Sequence, residues 1–385
     1  MQDTLPEPNT PLRVVFFVGR LTVGGAERVT STLLTNLNRR NFAPELALVR
    51  DRIEYDLPPD VRVRCLEREH GLWPVAKTVQ TIGWLRRWLA ADPPDVVVSM
   101  FSHYNLPTGS AIASSRQNVA WIARVANSPT KIEAGPHALW ARMVYPSARC
   151  IIANSAGLAD GFRQHHRSPA WPVLHVPNPL DLEYVHRSAA EEPKFSLPAS
   201  PIVVAAGRLA PQKRYDVMLQ AFGRISSHTG AHLVILGDGP QRTALKKLIT
   251  KLGLSDRVTL AGFHNNPHPI IARASLFLLT SDYEGSPNAL LEAQALGIPA
   301  VSTQCPFGPD EIIDDGTTGY LAACGDADAI ADGALRVLTA PDGGRAMGSS
   351  ARERISARFG LATTLPAWER TLHQAATGSQ SSPLT

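Results

Sequence analysis

Short apolar runs alternate with amphipathic stretches along most of the chain. Leu12 to Val18 and Ile202 to Ala206 are two such runs, and each is followed by a glycine-containing turn and a helical pattern. Continuous apolar runs of this length are typical of strands that are buried on both faces of a parallel sheet. The alternation therefore predicts an α/β protein whose parallel strands are connected by helices.

The same pattern predicts the remaining elements. Strands are expected at 45–49, 61–66, 95–99, 120–124, 150–153, 232–236, 258–261, 274–280 and 300–302. Helices are expected at 73–90, 215–225, 327–338, 351–357 and 365–374. The polar, proline-bearing segment 186–201 interrupts this series, and we predict that it is a linker.

The length of 385 residues exceeds that of one ordinary core, so two domains are expected. We predict a Rossmann-like N-terminal domain at 1–185 and a Rossmann-like C-terminal domain at 186–364. The remainder, 365–385, is predicted to contain a helix that packs back toward the N-terminal domain, followed by a disordered tail.

The stretch from Ser281 to Glu292 carries the most chemistry. Glu284 follows a predicted strand, and a helix is expected to begin with Ser286 as its cap and Pro287 in the first helical position. Ligands bind at this edge of an open α/β sheet, where a helix start attracts anions and carboxylates accept hydrogen bonds from hydroxyls. The stretch indicates a ligand with both phosphate and hydroxyl groups, such as a nucleotide sugar. The alternative is a capped helix with one exposed and one structural glutamate.

Other strand ends in the second half are predicted to lie at the same edge. They carry cations, glycines or an aromatic side chain: Arg208, Lys213, Gly237, Asp238, Gly239, Pro240 and Phe263. Two cations can neutralise a diphosphate, glycines can admit it closely, and an aromatic residue can border a base. The combination supports the nucleotide-sugar interpretation.

The first half offers fewer candidates. Gly24 and Gly25 follow the first strand without the GxGxxG spacing of dinucleotide-binding proteins, so they indicate either a tight turn or close approach to a ligand. His103 follows a strand and could contact a substrate, act as an acid or base, or be a surface residue. Arg124 ends the next strand and could bind a phosphate or another acidic group.

The net charge of +4 is mild, and its excess lies in the first half, where it is almost entirely arginine. This suits an anionic partner or an anionic membrane surface, and a scattered solvated surface explains it equally well. The helix at 73–90 mixes Trp73, Trp84 and Trp88 with cations, which fits either a membrane interface or ordinary core packing. No nucleic-acid motif is present.

The four cysteines lack metal-site or redox spacing and indicate reduced thiols. No stretch has the length of a membrane span or the apolar core of a signal peptide. We therefore expect a cytoplasmic protein, with a position at the inner face of the plasma membrane left open.

Taken in order, the motifs resemble those of the GT4-type retaining glycosyltransferases with the GT-B fold. They are Gly24-Gly25-Ala26-Glu27, Val176-Pro177-Asn178-Pro179, Gly207-Arg208-Leu209 with Lys213, Gly237-Asp238-Gly239-Pro240, Glu284-Gly285-Ser286-Pro287 through Glu292, and Cys305-Pro306-Phe307-Gly308-Pro309-Asp310-Glu311-Ile312. The resemblance covers essentially the whole chain. It implies two Rossmann-like, doubly wound domains facing a central cleft, with the acceptor on the first and the nucleotide sugar on the second.

The resemblance also implies residue roles. Arg208, Lys213 and Glu284 would be catalytic: the two cations bind the diphosphate of the donor, commonly a UDP-sugar, and Glu284 holds hydroxyls of its sugar. Glu292 would hold the ribose hydroxyls. The donor-binding set as a whole would be Gly24, Gly25, Gly237, Gly239, Pro240, Phe263, Gly285, Ser286, Pro287, Asn288 and Glu292. His103 and Arg124 are the candidate acceptor residues. No metal or other cofactor is implied, because the two cations supply its electrostatic role.

One position departs from the family pattern. The family often has glycine after the residue that matches Lys213, and this chain has Arg214. Its side chain could contact a phosphate or point to solvent.

The implied reaction moves a hexose or N-acetylhexosamine to a glycan or lipid-linked acceptor, with retention at the anomeric carbon, in bacterial-type cell-surface polysaccharide synthesis. The alternatives on a similar fold are a UDP-sugar epimerase, a sugar phosphorylase, which would need a lysine for pyridoxal phosphate, and a non-catalytic sugar-nucleotide-binding protein.

Overall fold

The structure is a computed structural model that describes residues 10–22, 24–66, 74–132, 136–167 and 171–378. The chain forms two compact units. The first contains Met1–Pro179 together with Ala362–Thr385, and the second contains Leu180–Leu361.

The first unit is built on a seven-stranded parallel sheet with the order β3-β2-β1-β4-β5-β6-β7. Its strands are β1 (Leu12–Val18), β2 (Phe42–Leu48), β3 (Arg62–Cys65), β4 (Val96–Ser99), β5 (Ala120–Val125), β6 (Cys150–Ala153) and β7 (Val173–His175). Its helices are α1 (Gly25–Asn36), α2 (Pro74–Ala91), α3 (Ser102–Ala113), α4 (Pro129–Ile132), α5 (Pro136–Val144), α6 (Ala156–His166) and, from the end of the chain, α15 (Leu361–Thr377).

The second unit is built on a six-stranded parallel sheet with the order β10-β9-β8-β11-β12-β13. Its strands are β8 (Ile202–Ala206), β9 (His232–Leu236), β10 (Val258–Gly262), β11 (Leu276–Leu279), β12 (Ala300–Thr303) and β13 (Gly319–Ala322). Its helices are α7 (Leu182–Ala189), α8 (Tyr215–Thr229), α9 (Arg242–Lys251), α10 (His268–Ile271), α11 (Asn288–Ala295), α12 (Pro309–Ile312), α13 (Ala327–Leu338) and α14 (Arg345–Phe359).

Both sheets start at a central strand, extend to one side, and then return to the other side. In the second unit Val203 belongs to the hydrophobic core on one face of the sheet, and Val204, the next residue, belongs to the core on the other face. Burial on both faces explains why the strands are continuous apolar runs. The two parallel sheets confirm the predicted α/β fold class with two Rossmann-like units.

The last helix belongs to the core of the first unit. Trp368 and Leu372 on α15 are fully buried and pack in the same cluster as Val14 and Leu33. The indole Nε1 of Trp368 donates to the carbonyl oxygen of Pro177 at 3.0 Å. Helix α15 therefore packs on β1 and α1 of the first unit.

The boundary between the units lies before the expected one at 185/186, because α7 packs against α10 and α11 of the second unit. The prediction of a continuous linker at 186–201 is wrong in its first residues, since α7 extends to Ala189. The elements without a counterpart among the predicted ones also include α3, α4, α5, α6, α10, β7 and β13.

Helix α2 uses its aromatic residues for packing. Trp88 is buried and stacks on Trp84 with ring centroids 5.6 Å apart, and Trp84 lies against Phe17 at 6.4 Å. Arg86 and Arg87 on the same helix are exposed. The core-packing interpretation of these two tryptophans is therefore correct, and Trp73 lies outside the described residues. Across the described ranges, no helix is long and apolar enough to span a membrane.

Candidate active site

Two turns lie side by side at the carboxyl edge of the second sheet, because β8 and β11 are hydrogen-bonded neighbours. The side chain of Gln212 donates from Nε2 to the carbonyl oxygen of Tyr283 at 2.6 Å, and the backbone carbonyl oxygen of Gln212 accepts from the Asp282 amide at 2.9 Å. The hydroxyl of Thr280 donates to the carbonyl oxygen of Lys213 at 2.9 Å. These bonds fix the turn that carries Lys213 against the turn that carries Glu284.

Lys213 and Glu284 are in direct contact. The ammonium Nζ lies 2.6 Å from Oε1 of Glu284, and the hydroxyl of Ser281 donates to the same oxygen at 2.6 Å. Both side chains are largely shielded from water, with 18% exposure for Lys213 and 9% for Glu284. Because Oε1 accepts both bonds, the carboxylate is held in one orientation and its second oxygen points elsewhere. Burial beside this carboxylate also raises the pKa of the Tyr215 phenol.

Arg208 differs from Lys213. Its side chain is exposed on the same turn and makes no hydrogen bond or ion pair with the residues that the structure describes. The turn therefore combines one cation that is already paired with a carboxylate and one that is available to a ligand.

Arg214 occupies a backbone conformation that glycine prefers. Its φ of 46° and ψ of 46° are left-handed, and only one other described non-glycine residue has positive φ. The guanidinium bridges Asp216 at 3.1 Å and Asp282 at 3.0 Å, and these carboxylates raise the pKa of Arg214. The family's glycine is thus replaced by an arginine whose side chain is engaged by Asp216 at the start of α8 and by Asp282 on the turn after β11.

Glu292 is buried on α11, with 6% exposure. The helix begins at Asn288, so the prediction that Ser286 caps it and that Pro287 occupies its first position is wrong. Pro287 is the N-cap residue with ψ of 105°, and its carbonyl oxygen accepts from the amides of Leu290 and Leu291. The first turn of α11 is therefore stabilised by the backbone carbonyl of Pro287 and not by a side-chain cap.

Several predicted donor-binding glycines are required by contacts within the protein. A Cβ on Gly237, whose φ is 143°, would lie 2.0 Å from the carbonyl oxygen of Gly207, and one on Gly239 would lie 2.5 Å from that of Leu209. Likewise, a Cβ on Gly308 would lie 2.4 Å from the carbonyl oxygen of Gly285. The part of Gly237 and Gly239 in donor binding stays a prediction.

Four other donor-binding candidates lie at the periphery of the second unit or in the first unit. Pro240 is exposed, and Phe263, which is 47% exposed, follows the edge strand β10. Gly25 opens α1 in the first unit, and a Cβ on Gly24 would overlap the Glu27 carboxylate. Gly24 therefore makes room for a side chain of its own helix.

The candidate acceptor residues sit in different surroundings. His103 lies on the first turn of α3, with its ring 4.2 Å from that of Tyr104. Partial desolvation there lowers the pKa of His103. Arg124 is fully buried at the end of β5, donating to Asn178 Oδ1 at 2.7 Å and to the carbonyl oxygen of Met100 at 3.2 Å.

Sequence reasoning gave no role to Glu27, which lies in the field of Arg124. Desolvation raises the pKa of Glu27 to about 7, opposed by its own backbone amide and by Arg20 and Arg124. Burial lowers the pKa of Arg124 to about 10, and Glu27 opposes this shift. Its position in the Gly24–Glu27 motif was a signal, but the desolvation is visible only in the fold.

Two family models match the chain. The model described as glycosyl transferases group 1 matches residues 189–354, and the model described as glycosyltransferase family 4 matches residues 23–184. The first match covers the turns that carry Lys213 and Glu284, and the second covers most of the first unit.

Named relatives agree with these matches. The chain is 28% identical over 280 residues to the lipopolysaccharide core biosynthesis glycosyltransferase LpsE of Rhizobium meliloti, covering 69% of this chain and 74% of the relative. It is 27% identical over 320 residues to the N-acetylgalactosamine-N,N'-diacetylbacillosaminyl-diphospho-undecaprenol 4-alpha-N-acetylgalactosaminyltransferase of Campylobacter jejuni, covering 79% and 84%.

Solved structures share the fold. The Anabaena protein HepE in complex with UDP and glucose superposes with a TM-score of 0.76 at 17% identity, over 94% of this chain and 100% of that one. Together with the two family models, which between them span most of the chain, these likenesses show that the protein is a glycosyltransferase and belongs to the group 1, family 4 glycosyltransferases of the GT-B fold.

Proposed function

We propose that this glycosyltransferase moves a hexose or N-acetylhexosamine from a UDP-sugar to a glycan or lipid-linked acceptor, with retention at the anomeric carbon. The observation that carries the proposal is the pairing of Lys213 with Glu284 at 2.6 Å beside an available Arg208. A shielded ammonium held by a carboxylate is suited to meet the charge that develops on a departing phosphate.

The donor would use both turns. Arg208 and Lys213 neutralise the diphosphate, and Glu284 accepts a hydrogen bond from a sugar hydroxyl through the oxygen that Lys213 and Ser281 leave open. Glu292 accepts from the ribose hydroxyls. UDP as the nucleotide is supported by the complex of HepE with UDP and glucose. No metal is needed in this scheme, since two protein cations supply the positive charge.

The reaction is a displacement at the anomeric carbon. The bond from this carbon to the β-phosphate oxygen breaks, a bond to the acceptor oxygen forms on the same face, and the acceptor proton passes to an oxygen of the leaving phosphate. Lys213 and Arg208 stabilise the UDP that carries away the electron pair. The role of Glu284 in this proposal follows from its contacts. Its carboxylate already binds the Lys213 ammonium and the Ser281 hydroxyl, so it is suited to positioning the donor.

The acceptor belongs to cell-surface polysaccharide synthesis in this proposal, as the names of the lipopolysaccharide and undecaprenol relatives suggest. His103 and Arg124 are the acceptor residues we put forward, with Arg124 acting from beneath the surface because it is buried. A cytoplasmic protein in peripheral contact with an anionic membrane would be consistent with the exposed Arg86 and Arg87.

A donor screen tests this function. The purified protein is incubated with UDP-, GDP- and ADP-sugars, with and without a bacterial membrane extract as acceptor, and nucleotide release is measured. Release of UDP that depends on the extract supports the proposal. Epimerised donor without transfer, or release from GDP- or ADP-sugars alone, would contradict it. Flotation with anionic vesicles tests the membrane contact separately.

A further inference from the structure

A buried histidine lies behind the carboxylate of Glu292. The imidazole Nε2 of His268 is 3.3 Å from Oε2 of Glu292, and its Nδ1 is 2.6 Å from the hydroxyl oxygen of Ser188. His268 is fully buried, Ser188 is 4% exposed and Glu292 is 6% exposed. Three side chains from α7, α10 and α11 thus form a continuous polar row inside the second unit.

Asn266 and Tyr184 hold the Ser188 and His268 part of the row in place. Asn266 accepts from the His268 amide at 3.1 Å through Oδ1 and donates to the Ser188 carbonyl oxygen at 2.9 Å through Nδ2. The Tyr184 ring stands edge-on to the imidazole with centroids 5.9 Å apart. The imidazole therefore has little freedom to turn away from Glu292.

The hydrogen bonds of Ser188 decide which ring nitrogen of His268 carries the proton. The Ser188 hydroxyl can donate to the Tyr184 carbonyl oxygen at 2.7 Å, and then it accepts from Nδ1–H. If Ser188 instead donates to Nδ1, the neutral ring carries its proton on Nε2. In this second arrangement the Nε2–H of His268 lies beside the carboxylate of Glu292.

We propose that His268 is a positioning residue for Glu292, which it holds in the orientation that receives the ribose hydroxyls of the nucleotide donor. The contact at 3.3 Å lacks the alignment of a hydrogen bond, so His268 orients the carboxylate by packing against it and by the dipole of its N–H. This inference rests on the proposed role of Glu292 as the ribose ligand. Ser188 in turn orients His268.

Calorimetric titration with UDP and with 2′,3′-dideoxy-UDP tests the inference, because only UDP offers the hydroxyls. The wild-type protein should bind UDP at least about tenfold more tightly, as expected for hydrogen bonds to a charged group. His268→Ala should reduce this ratio at least about threefold, with little change for the dideoxy compound. His268→Gln, whose amide can again present an N–H, should recover most of the ratio.

The controls separate a specific effect from loss of structure. His232→Ala removes a half-buried histidine of the same unit whose Nε2 contacts Thr259, and it should leave the ratio unchanged. Thermal melting identifies a variant that fails to fold. In that case Ser188→Ala, a smaller change that removes the Nδ1 partner together with the hydroxyl's bonds to the Tyr184 and Val185 carbonyl oxygens, should lower the ratio in the same direction.

Two results would overturn the inference in distinguishable ways. If the wild-type protein binds UDP and 2′,3′-dideoxy-UDP equally tightly, both the ribose role of Glu292 and the inference about His268 are wrong. The donor screen tests sugar transfer independently of this result. A wild-type preference that survives both His268→Ala and Ser188→Ala overturns the inference alone.

Discussion

The ammonium of Lys213 lies 2.6 Å from Oε1 of Glu284, which also accepts a hydrogen bond from Ser281. The two residues follow different strands, β8 and β11, and meet because these strands are neighbours in the sheet. A shielded cation with a single carboxylate partner is held in place before any ligand arrives, which reduces the reorganisation that the reaction requires.

Lys213→Ala should lower kcat at least about 100-fold, since it removes a charge that stabilises the leaving phosphate. It should also lower the free energy of unfolding by about 1–3 kcal/mol, because Glu284 stays shielded without its cation. Steady-state kinetics and urea denaturation measure the two effects. Lys246→Ala, on the exposed face of α9, is the matched control and should change neither.

The double variant Lys213→Ala with Glu284→Gln separates stability from catalysis. A neutral amide does not need the ammonium, so the double variant should recover part of the lost unfolding free energy and remain inactive. Recovery of transfer in this variant would show that Lys213 acts only by neutralising Glu284.

Gly237→Ala should lower the free energy of unfolding by about 1–3 kcal/mol, because its Cβ would lie 2.0 Å from the Gly207 carbonyl oxygen and its φ is positive. Gly223→Ala is the matched control: no atom lies within 4 Å of the added Cβ, and alanine favours the helix α8. Denaturation should show that the free energy of unfolding falls in Gly237→Ala and rises in Gly223→Ala. Equal stability of the two variants would contradict the contact.

Continuous apolar runs explain which elements could be predicted. The ranges of β1, β6, β8, β9 and α13 agree with the predicted ones, because turn residues delimit each segment. Helix α3 was missed because Pro107 interrupts it and its buried residues, from Asn105 to Ile112, form no single apolar stripe. β13 was missed because it is short and contains Gly319.

Some features of the candidate site could be predicted from the sequence and others could not. Arg208, Lys213 and Glu284 were predicted at one sheet edge from their places after strands, and this geometry needs only the strand order. The contacts of His268 with Ser188 and Glu292 join three separate helices, so no local sequence pattern predicts them. The ion pairs of Arg214 were also invisible, since a left-handed conformation at arginine cannot be inferred from its residue type.

Arg214→Gly and Arg214→Ala should differ in stability. Both remove the ion pairs with Asp216 and Asp282, but only glycine relieves the left-handed backbone. The alanine variant should therefore be less stable than the glycine variant by about 1 kcal/mol. Urea denaturation measures the difference, and an alanine variant as stable as the glycine variant would contradict the assigned conformation.

Glu27→Gln should change the pH dependence of stability. Burial raises the pKa of Glu27 to about 7, so the folded state holds this proton more tightly than the unfolded chain does. The contribution of Glu27 is therefore fully present below its unfolded pKa and is lost as the pH rises through 7, by up to about 3 kcal/mol. Glutamine removes the titration.

Denaturation of the wild-type protein and Glu27→Gln at pH 5 and pH 8 checks this. The wild-type protein should lose more unfolding free energy between the two pH values than the variant does. Identical losses in both proteins would show that Glu27 ionises without penalty in the folded state.

The anomeric configuration of the product tests the central claim most directly. Proton NMR of the purified product, formed from an α-linked UDP-sugar and the acceptor found in the donor screen, reports the coupling constant at the new linkage. The proposed mechanism predicts an α-linked product, with the configuration of the donor retained. A β-linked product would contradict it, because inversion requires attack from the face opposite the leaving phosphate.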